Sequence, residues 1–353
     1  MNSNNPQIPQ KILAIRFSSL GDVAMTVPVF RHLALTYPEL NITVLTKPFF
    51  VPLFEDLPNV TVFAADVKKD YKGFFGLWKL ANELRKKDFD AVADLHNVLR
   101  TKILRLFFFF MGIKSRKINK GRIEKKKLTR HAPKEIRPLK TTHQRYADVF
   151  SELGFSVDLS ENLLAFENFS RKNISEKTVE LIGNSTKKWI GIAPVAAYPS
   201  KTYPPELMEE VIAGLDQSKD YQILIFGGGK KETEMAEKLA SKYSSLISVV
   251  GKLPFKEELS LISNLDLMLS MDSANGHLGA IFGVPVLTIW GATHPFAGFA
   301  PFQQPEENQL LPDRTKFPFL PTSVFGNKTI PGYEKAMYTI SPEKVIQRIK
   351  QII

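Results

Sequence analysis

The feature that most constrains the fold is an alternation of short apolar runs with longer amphipathic runs, which occurs in both halves of the chain. The short runs are typical of buried strands, and the longer runs have apolar residues at helical spacing. This alternation predicts an α/β protein with parallel sheets and crossover helices, arranged as two βα halves. The predicted strands are Lys11–Phe17, Asn41–Thr46, Val60–Phe63, Ala91–Leu95, Trp189–Ala193, Tyr221–Phe226, Leu246–Val250, Leu265–Ser270 and Val286–Trp290.

A length of 353 residues agrees with two domains of roughly 150 residues each. A polar, hinge-like stretch at about 166–188 separates the two series. We predict a first domain over residues 1–170, a linker over 171–188, a second domain over 189–340 and a final helix over 341–353. The predicted helices are Val23–Tyr37, Phe74–Lys86, Pro204–Leu215, Lys231–Tyr243, Ser273–Phe282 and Pro342–Ile353.

Composition excludes several classes of protein. With 44% hydrophobic and 24% charged residues, the chain is neither disordered nor collagen-like. It contains no cysteine, which excludes disulfides, thiolate metal sites and a cysteine nucleophile. The most apolar run, Leu104–Met111, is far shorter than the ~20 residues that cross a bilayer. The N-terminal residues do not resemble a secretory signal, so we expect a cytoplasmic protein.

Positive charge is concentrated in residues 100–145. This segment has sixteen Lys or Arg against Glu124 and Glu135, and its net charge of +14 exceeds the +11 of the whole chain. It is either a solvated surface or one that attracts phosphates, on a ligand or on anionic lipid. No zinc-finger, helix-turn-helix or RNA-binding signature accompanies it, so nucleic acid is not an expected partner. The adjoining run Phe107–Phe110 fits either a core or a membrane-facing patch.

The first segment suited to chemistry is Ser18-Ser19-Leu20-Gly21-Asp22-Val23, directly after the first predicted strand. Its small residues allow a tight turn, and the following helix offers N–H groups to an anion. Asp22 fits two roles, as the N-cap of that helix or as a general base that takes a proton from a hydroxyl. A single glycine stands where a dinucleotide fingerprint has three, which argues against NAD or FAD.

The second segment is Met271-Asp272-Ser273-Ala274-Asn275-Gly276-His277, which follows another strand. Its small residues would leave N–H groups at a helix start open to a phosphate or diphosphate. It fits equally well a capped, buried helix in which His277 is a satisfied core residue.

Two further features lie at strand-to-helix connections. Lys201 is placed where a cation would neutralise a leaving phosphate, although most single lysines are only solvated. Gly227–Gly229 end one strand but lack the GK[ST] ending of a nucleoside-triphosphate loop. Glu232, just after them, would accept hydrogen bonds from a ribose.

Metal chemistry is not expected. The chain has no HExxH motif, and it has no GxSxG motif of an α/β-hydrolase. Asp88-Phe89-Asp90 has the DxD spacing that holds a metal ion in some enzymes, but it leads into the strand Ala91–Leu95. We therefore expect one of these aspartates to serve at the strand edge.

Taken together, these segments resemble the heptosyltransferases of glycosyltransferase family 9. The matching pieces are KILAIRFSSLGDVAMTVPVFRHL, FDAVADLHNVLRTK, WIGIAPVAAYPSKTYPPELMEEVI, ILIFGGGKKETEMAEKLA and LDLMLSMDSANGHLGAIFGVPVLTIWGATHP, in the expected order from about residue 11 to 295. The resemblance implies a GT-B fold, with two Rossmann-like domains facing a cleft and the last helix crossing back to the first domain. It also implies inverting, metal-independent transfer from a nucleotide sugar, typically ADP-heptose, to the lipopolysaccharide inner core.

The resemblance also assigns roles to individual residues. Asp22 matches the catalytic base, and Lys201 matches the lysine on the donor phosphates. The remaining donor contacts are Glu232 at the ribose, Leu253 beside the adenine, and Asp272, Ser273, Ala274 and His277 around the diphosphate. Acceptor contacts are expected from Ser18, Ser19, His96, Asn97 and Arg100.

The expected partners are the nucleotide sugar and a phosphorylated or acidic glycolipid, with peripheral contact to an anionic membrane surface at the inner face of the inner membrane. No cofactor is expected. Ala196-Ala197 replace hydroxyl residues common in the family, which leaves the donor nucleotide open, and the proline-rich stretch after Pro301 has no clear match. The alternatives are a relative that uses another nucleotide sugar or acceptor, and a non-catalytic protein that binds anions or membranes.

Overall fold

The computed structural model describes residues 9–160 and 171–353. The chain forms two compact units. Among the described residues, the first unit comprises 9–120 and 142–160, and the second comprises 121–141 and 171–353.

The first unit is built on a five-stranded parallel sheet with the order β3-β2-β1-β4-β5. Central strand β1 is buried from Ile12 onward because helices cover both faces. The strands are β1 (Lys11–Ile15), β2 (Asn41–Thr46), β3 (Val60–Ala64), β4 (Ala91–Asp94) and β5 (Lys114–Lys117). The helices are α1 (Leu20–Ala24), α2 (Val27–Thr36), α3 (Gly73–Arg85), α4 (Leu99–Phe110) and α6 (Thr142–Ser151). Helix α5 (Arg122–Leu128) lies between α4 and α6 in sequence but belongs to the second unit.

The second unit has a six-stranded parallel sheet with the order β11-β10-β9-β6-β7-β8. Gly191 lies at its centre, where a Cβ atom would overlap the side chains of Leu265 and Phe226. The strands are β6 (Lys188–Ala193), β7 (Tyr221–Ile225), β8 (Leu246–Ser248), β9 (Leu267–Met271), β10 (Val286–Ile289) and β11 (Gln309–Leu310). Its helices are α5 together with α7 (Glu176–Ile182), α8 (Pro205–Ser218), α9 (Lys230–Ala240), α10 (Phe255–Ile262), α11 (Ala274–Ala280) and α12 (Pro342–Ile352).

Two local predictions need correction. The helix expected over Val23–Tyr37 is split into α1 and α2, because Pro28 has no N–H to donate and its ring clashes with the carbonyl four residues earlier. The linker contains α7, whose N-cap Ser175 accepts a hydrogen bond from the Thr178 N–H at 3.3 Å. Residues 166–170 of the predicted hinge lie outside the described residues.

The predicted domain boundaries also differ from the two units. Residues 121–141, placed in the first domain, group with the second unit, where the Leu139 N–H donates to the Phe296 carbonyl at 2.9 Å. The final helix was expected on the first domain, but α12 packs on α8 within the second unit. Val345 and Ile349 are buried in this contact, and Ile346 lies where a Cβ atom on Gly214 would be.

The phenylalanine run of α4 is divided between the core and the surface. Phe107 and Phe108 are buried in the core of the first unit, whereas Phe109 and Phe110 are exposed. Over residues 9–160 and 171–353, no helix combines the length and apolarity that crossing a membrane requires.

Replacing Ile349 by alanine tests the position of α12. The substitution removes fully buried apolar volume at the α8 contact, so the second unit should lose about 2–5 kcal/mol of unfolding free energy. Urea denaturation measures this loss. The exposed neighbour Lys350→Ala is the control and should stay within about 0.5 kcal/mol of the parent. Equal stability of the two variants would show that α12 does not pack on α8.

Candidate functional site

Asp22 is held at the carboxyl end of β1 by three contacts to its Oδ2 atom. Arg16, which is buried, lies 2.7 Å away through its NH2 group. Ser19 donates from its backbone N–H at 3.1 Å and from its hydroxyl at 2.8 Å. The Asp22 side chain remains 30% exposed, so these contacts orient a carboxylate that solvent can reach.

Helix capping explains this local geometry. Ser19 is the N-cap of α1, and Asp22 is the third helical residue, which reaches back to the N-cap N–H. The expectation that Asp22 is itself the N-cap is therefore wrong by three positions. Capping and chemistry are compatible here, because the carboxylate can orient the turn and still face solvent.

His96 and Asn97 are fixed by an aspartate that the sequence analysis did not single out. Asp94 is fully buried at the end of β4, and its Oδ1 accepts the backbone N–H groups of His96 at 3.0 Å and Asn97 at 2.7 Å. Its Oδ2 lies 2.9 Å from Nε of Arg105. Arg100 follows in the first turn of α4 and is half-buried.

Arg16 links the ends of β1 and β4. Its NH1 group donates to the Leu95 carbonyl at 2.7 Å, while its NH2 group pairs with Asp22. The Tyr146 hydroxyl donates to the Asp22 carbonyl at 3.3 Å and closes the same cluster. The first unit therefore places Ser19, Asp22, His96 and Asn97 on neighbouring loops that follow parallel strands β1 and β4.

The second cluster is a buried ion pair at the ends of β6 and β9. Nζ of Lys201 lies 3.2 Å from Oδ2 of Asp272 and donates to the Asp272 carbonyl at 2.7 Å. Their side chains are 12% and 10% exposed. Ser273 is the N-cap of α11, which begins at Ala274 and buries His277. The buried Ser273 hydroxyl makes no hydrogen bond with any described residue.

Glu232 and Leu253 lie at the same carboxyl edge of the second sheet as Lys201 and Asp272. Oε2 of Glu232 accepts the Gly228 N–H at 2.9 Å, and a Cβ atom at Gly227 would overlap this carboxylate. Leu253 follows β8 and is half-buried. Because β9, β6, β7 and β8 are parallel neighbours, the segments that follow them meet at their shared carboxyl edge. The donor residues suggested by the sequence therefore lie on adjoining loops of one unit.

A family model described as glycosyltransferase family 9 (heptosyltransferase) matches residues 77–328, which is more than half of the chain. The chain belongs to this family of heptosyltransferases. Among curated relatives, it is 27% identical over 309 residues to the lipopolysaccharide core heptosyltransferase OpsX of Haemophilus influenzae, covering 82% of this chain and 81% of that protein.

Solved structures show the same fold. A family 9 glycosyl transferase from Veillonella parvula superposes with a TM-score of 0.73 at 21% identity, covering 97% of both chains. The E. coli heptosyltransferase WaaC, solved with ADP-2-deoxy-2-fluoro heptose, gives a TM-score of 0.67 at 18% identity, covering 97% of this chain and all of that one. The predicted α/β class, GT-B fold and heptosyltransferase family are confirmed.

The proline-rich stretch after Pro301 was expected to have no clear match to the family, but the family model covers it as far as residue 328. Part of this stretch packs beside Lys201. The Ser200 hydroxyl donates to the Gly326 carbonyl at 2.5 Å. Gly326 has φ +81, and a Cβ atom on it would overlap the Lys201 side chain. Buried hydroxyls of Thr293 and Thr322 also lack partners among the described residues. No spacing in the sequence indicated these contacts, because they join distant segments.

Lys134, within the basic segment, fixes the position of the proline-rich stretch. Nζ of Lys134 donates to the carbonyls of Phe319 at 2.8 Å and Pro321 at 2.5 Å, as well as to the Arg130 carbonyl. Burial lowers the pKa of Lys134 to about 8. Part of the positive charge of residues 100–145 therefore makes hydrogen bonds within the second unit.

The DxD spacing has a structural role. The Asp90 carboxylate accepts the backbone N–H groups of Gln10 and Lys11, both at 2.8 Å, at the start of β1. Asp88 lies in a turn with φ +53. The part of the chain that the structure describes contains no group of three His, Asp or Glu residues suited to a metal ion.

His96 supplies a pH-dependent prediction. Burial, reinforced by Arg16 and Lys120, lowers its pKa to about 3, and its Nδ1 accepts the Phe17 N–H at 3.4 Å. The unfolded chain takes up a proton on this residue near 6.5. The free energy of unfolding should therefore fall as the pH decreases from about 6.5 towards 3.

NMR titration of the histidine ring signals tests this directly. The His96 signal, assigned by its absence in His96→Gln, should stay at its neutral position down to pH 5. The same titration in urea gives the unfolded reference. A folded-state midpoint near 6.5 would contradict the neutral, hydrogen-bonded ring.

Proposed function

We propose that this protein transfers a heptosyl group from ADP-heptose to a hydroxyl of the lipopolysaccharide inner core, with inversion and without a metal ion. The observation that carries the proposal is the buried Lys201–Asp272 pair at the carboxyl edge of the second sheet. Beside it lies the Ser273 hydroxyl, which has no hydrogen-bond partner among the described residues. A cation that is already oriented and largely shielded from water is suited to a diphosphate. OpsX, a named lipopolysaccharide core heptosyltransferase, and WaaC, solved with a fluorinated ADP-heptose, support this choice of substrates.

The donor contacts follow from the chemistry of each residue. Lys201 offers its ammonium group to the phosphates, and Asp272 keeps that group in position. The Ser273 hydroxyl and the backbone N–H groups of Ser273 and Ala274 add neutral donors, with His277 in the turn behind them. Glu232 accepts the ribose hydroxyls, and Leu253 gives an apolar contact to adenine.

Asp22 acts as the general base. It removes the proton from the acceptor hydroxyl, whose oxygen forms a bond to the anomeric carbon from the face opposite the diphosphate. The bond between that carbon and the diphosphate oxygen breaks, and its electron pair leaves with ADP. Arg16 and Ser19 orient the carboxylate, while Lys201 stabilises the charge that develops on the leaving group.

The acceptor is a phosphorylated or acidic glycolipid. Ser18, Ser19, His96, Asn97 and Arg100 contribute polar groups around Asp22, and Oδ1 of Asn97 is buried without a partner among the described residues. Peripheral contact with an anionic membrane surface would bring the protein to such a lipid. The net charge of +11 favours that contact, and raising the salt concentration should weaken it.

Replacing Asp22 tests catalysis separately from binding. Asp22→Asn keeps the size of the side chain but removes the base, so kcat should fall by about 10²- to 10⁴-fold. ADP affinity, measured by calorimetry, should stay the same because the donor contacts belong to other residues.

The control for this substitution is Asp88→Asn, a turn carboxylate of the same unit at a positive φ that asparagine tolerates. It should keep full turnover. Mass spectrometry of the product identifies the transferred sugar. If Asp22→Asn retained parental turnover, Asp22 would not be the base, and a parent without transferase activity would favour the anion- or membrane-binding alternative.

Nucleotide titrations test the donor assignment. ADP should bind more tightly than UDP or GDP, whereas tighter UDP binding would indicate a relative with another donor. The double variant Lys201→Gln/Asp272→Asn removes both charges together, so neither is left buried without its partner. It should bind ADP about tenfold to a hundredfold more weakly, because charge-assisted hydrogen bonds are lost. The exposed Lys177→Gln is the matched control and should bind like the parent.

A further inference from the structure

The outer surface of α3 and α4 carries a group of exposed apolar side chains, most of them aromatic. Phe75 is 84% exposed, Phe109 is 71% exposed and Phe110 is 75% exposed. Single exposed apolar residues are common, but a contiguous set marks an interaction surface. The α3–α4 aromatic patch consists of Phe74, Phe75, Trp78, Leu106, Phe109 and Phe110.

Phe107 joins the two helices beneath this patch. Its buried ring lies 5.2 Å from that of Phe74 and 5.1 Å from that of Trp78, both edge to face. Phe74 is in the first turn of α3 and Phe107 is in the last turn of α4, so these two helix ends meet. Phe108 is anchored in the core, and the next two side chains, Phe109 and Phe110, therefore emerge at the same end of the helix pair.

Exposed lysines accompany the aromatic patch. Lys72 precedes α3, and Lys79 follows Phe75 by one turn. Lys102 precedes Leu106 by one turn, and Lys114 begins β5 just after α4. Acids near these lysines in sequence include Asp66, whose Oδ1 accepts two backbone N–H groups, exposed Asp70, and Glu83, which pairs with Tyr71 and lies 3.9 Å from Lys79. Asp88, Asp90 and Asp94 also fall between Lys79 and Lys102; Asp90 accepts two backbone N–H groups, and Asp94 is fully buried beside Arg105.

We propose that the α3–α4 aromatic patch seats this protein on the surface of an anionic phospholipid bilayer. Exposed Trp, Phe and Leu side chains insert at the boundary between the headgroups and the acyl chains, and lysines beside them attract the anionic headgroups. A symmetric contact with a second copy would instead bring the same lysines together, which opposes association. The inference rests on the peripheral contact proposed above and names its surface, without depending on the sugar transferred.

The basic stretch alone does not provide this surface, because residues 121–141 belong to the second unit and some of its cations are engaged there. Lys125 is buried with its Nζ 3.7 Å from the centre of the Phe299 ring, and Lys134 donates to backbone carbonyls. Salt-sensitive attraction by the remaining cations is therefore expected in addition to insertion of the rings. A test must separate these two contributions.

Vesicle sedimentation separates charge from ring insertion. The full chain is mixed with vesicles of phosphatidylcholine and phosphatidylglycerol at low and high salt. The triple variant Phe75→Ser/Phe109→Ser/Phe110→Ser keeps every charge and should bind at least tenfold more weakly at both salt concentrations. Ile123→Ser, which changes an equally exposed apolar residue within the basic segment, should bind like the parent.

The fluorescence of Trp78 shows whether the α3–α4 aromatic patch contacts the bilayer, and measuring it requires no change to the parent protein. Trp78 is 46% exposed, whereas Trp290 is fully buried and Trp189 is half-buried in the second unit. Brominated phospholipid should quench the parent's fluorescence on binding. In Trp78→Phe this quenching should disappear while sedimentation with vesicles persists.

Several outcomes would overturn the proposal. They are equal vesicle binding by the parent and the triple variant, quenching that survives Trp78→Phe, and a parent dimer in sedimentation velocity that the triple variant converts to monomers. The last outcome would assign the patch to a second copy of the chain. Failure of transferase chemistry would appear in the turnover and ADP measurements on vesicle-free protein, so the two proposals fail separately.

Discussion

Parallel pairing of the strands is the constraint on which the rest of this structure depends. Each strand must be followed by a crossover, so all strand-to-helix loops of a sheet emerge at one edge. In the second unit, this geometry gathers Lys201, Glu232, Leu253 and Asp272 from distant parts of the sequence. In the first unit, it brings Asp22 and His96 together from β1 and β4. Polar residues at these edges can therefore vary in chemistry without changing the buried strands beneath them.

Much of the fold could be predicted because its signals are local. Strand Asn41–Thr46 was predicted with its observed bounds, and the helices α3 and α12 agree to within a residue at each end. The short strands β5 and β11 were missed because Lys114–Lys117 is polar and Gln309–Leu310 has only two residues. Pro28 was the local signal that would have shown the break between α1 and α2.

The candidate site was predictable only for residues within recognisable motifs. Ser19, Asp22 and Asp272 lie in such segments, and the structure places each at the end of a parallel strand. Asp94 and Arg16 were missed because their roles follow from contacts across neighbouring strands. Gly326 carried no signal, since its importance depends on Lys201, which is distant in sequence. The family resemblance suggested roles for individual residues. The side chains that hold those residues in place, such as Arg16 and Asp94, became visible only from contacts between segments distant in sequence.

The segment 121–141 interrupts the first unit in sequence and belongs to the second in space. The polypeptide therefore leaves the first unit, contributes a piece to the other, returns to complete α6, and departs again. No single cut can separate this enzyme into two intact halves. A fragment ending at residue 170 would separate Lys134 from the carbonyl groups of Phe319 and Pro321, to which it donates hydrogen bonds. The complementary fragment would lose this anchor of the proline-rich stretch. Dissection or exchange of modules in this protein thus requires three coordinated breakpoints, so that residues 121–141 stay with the second unit.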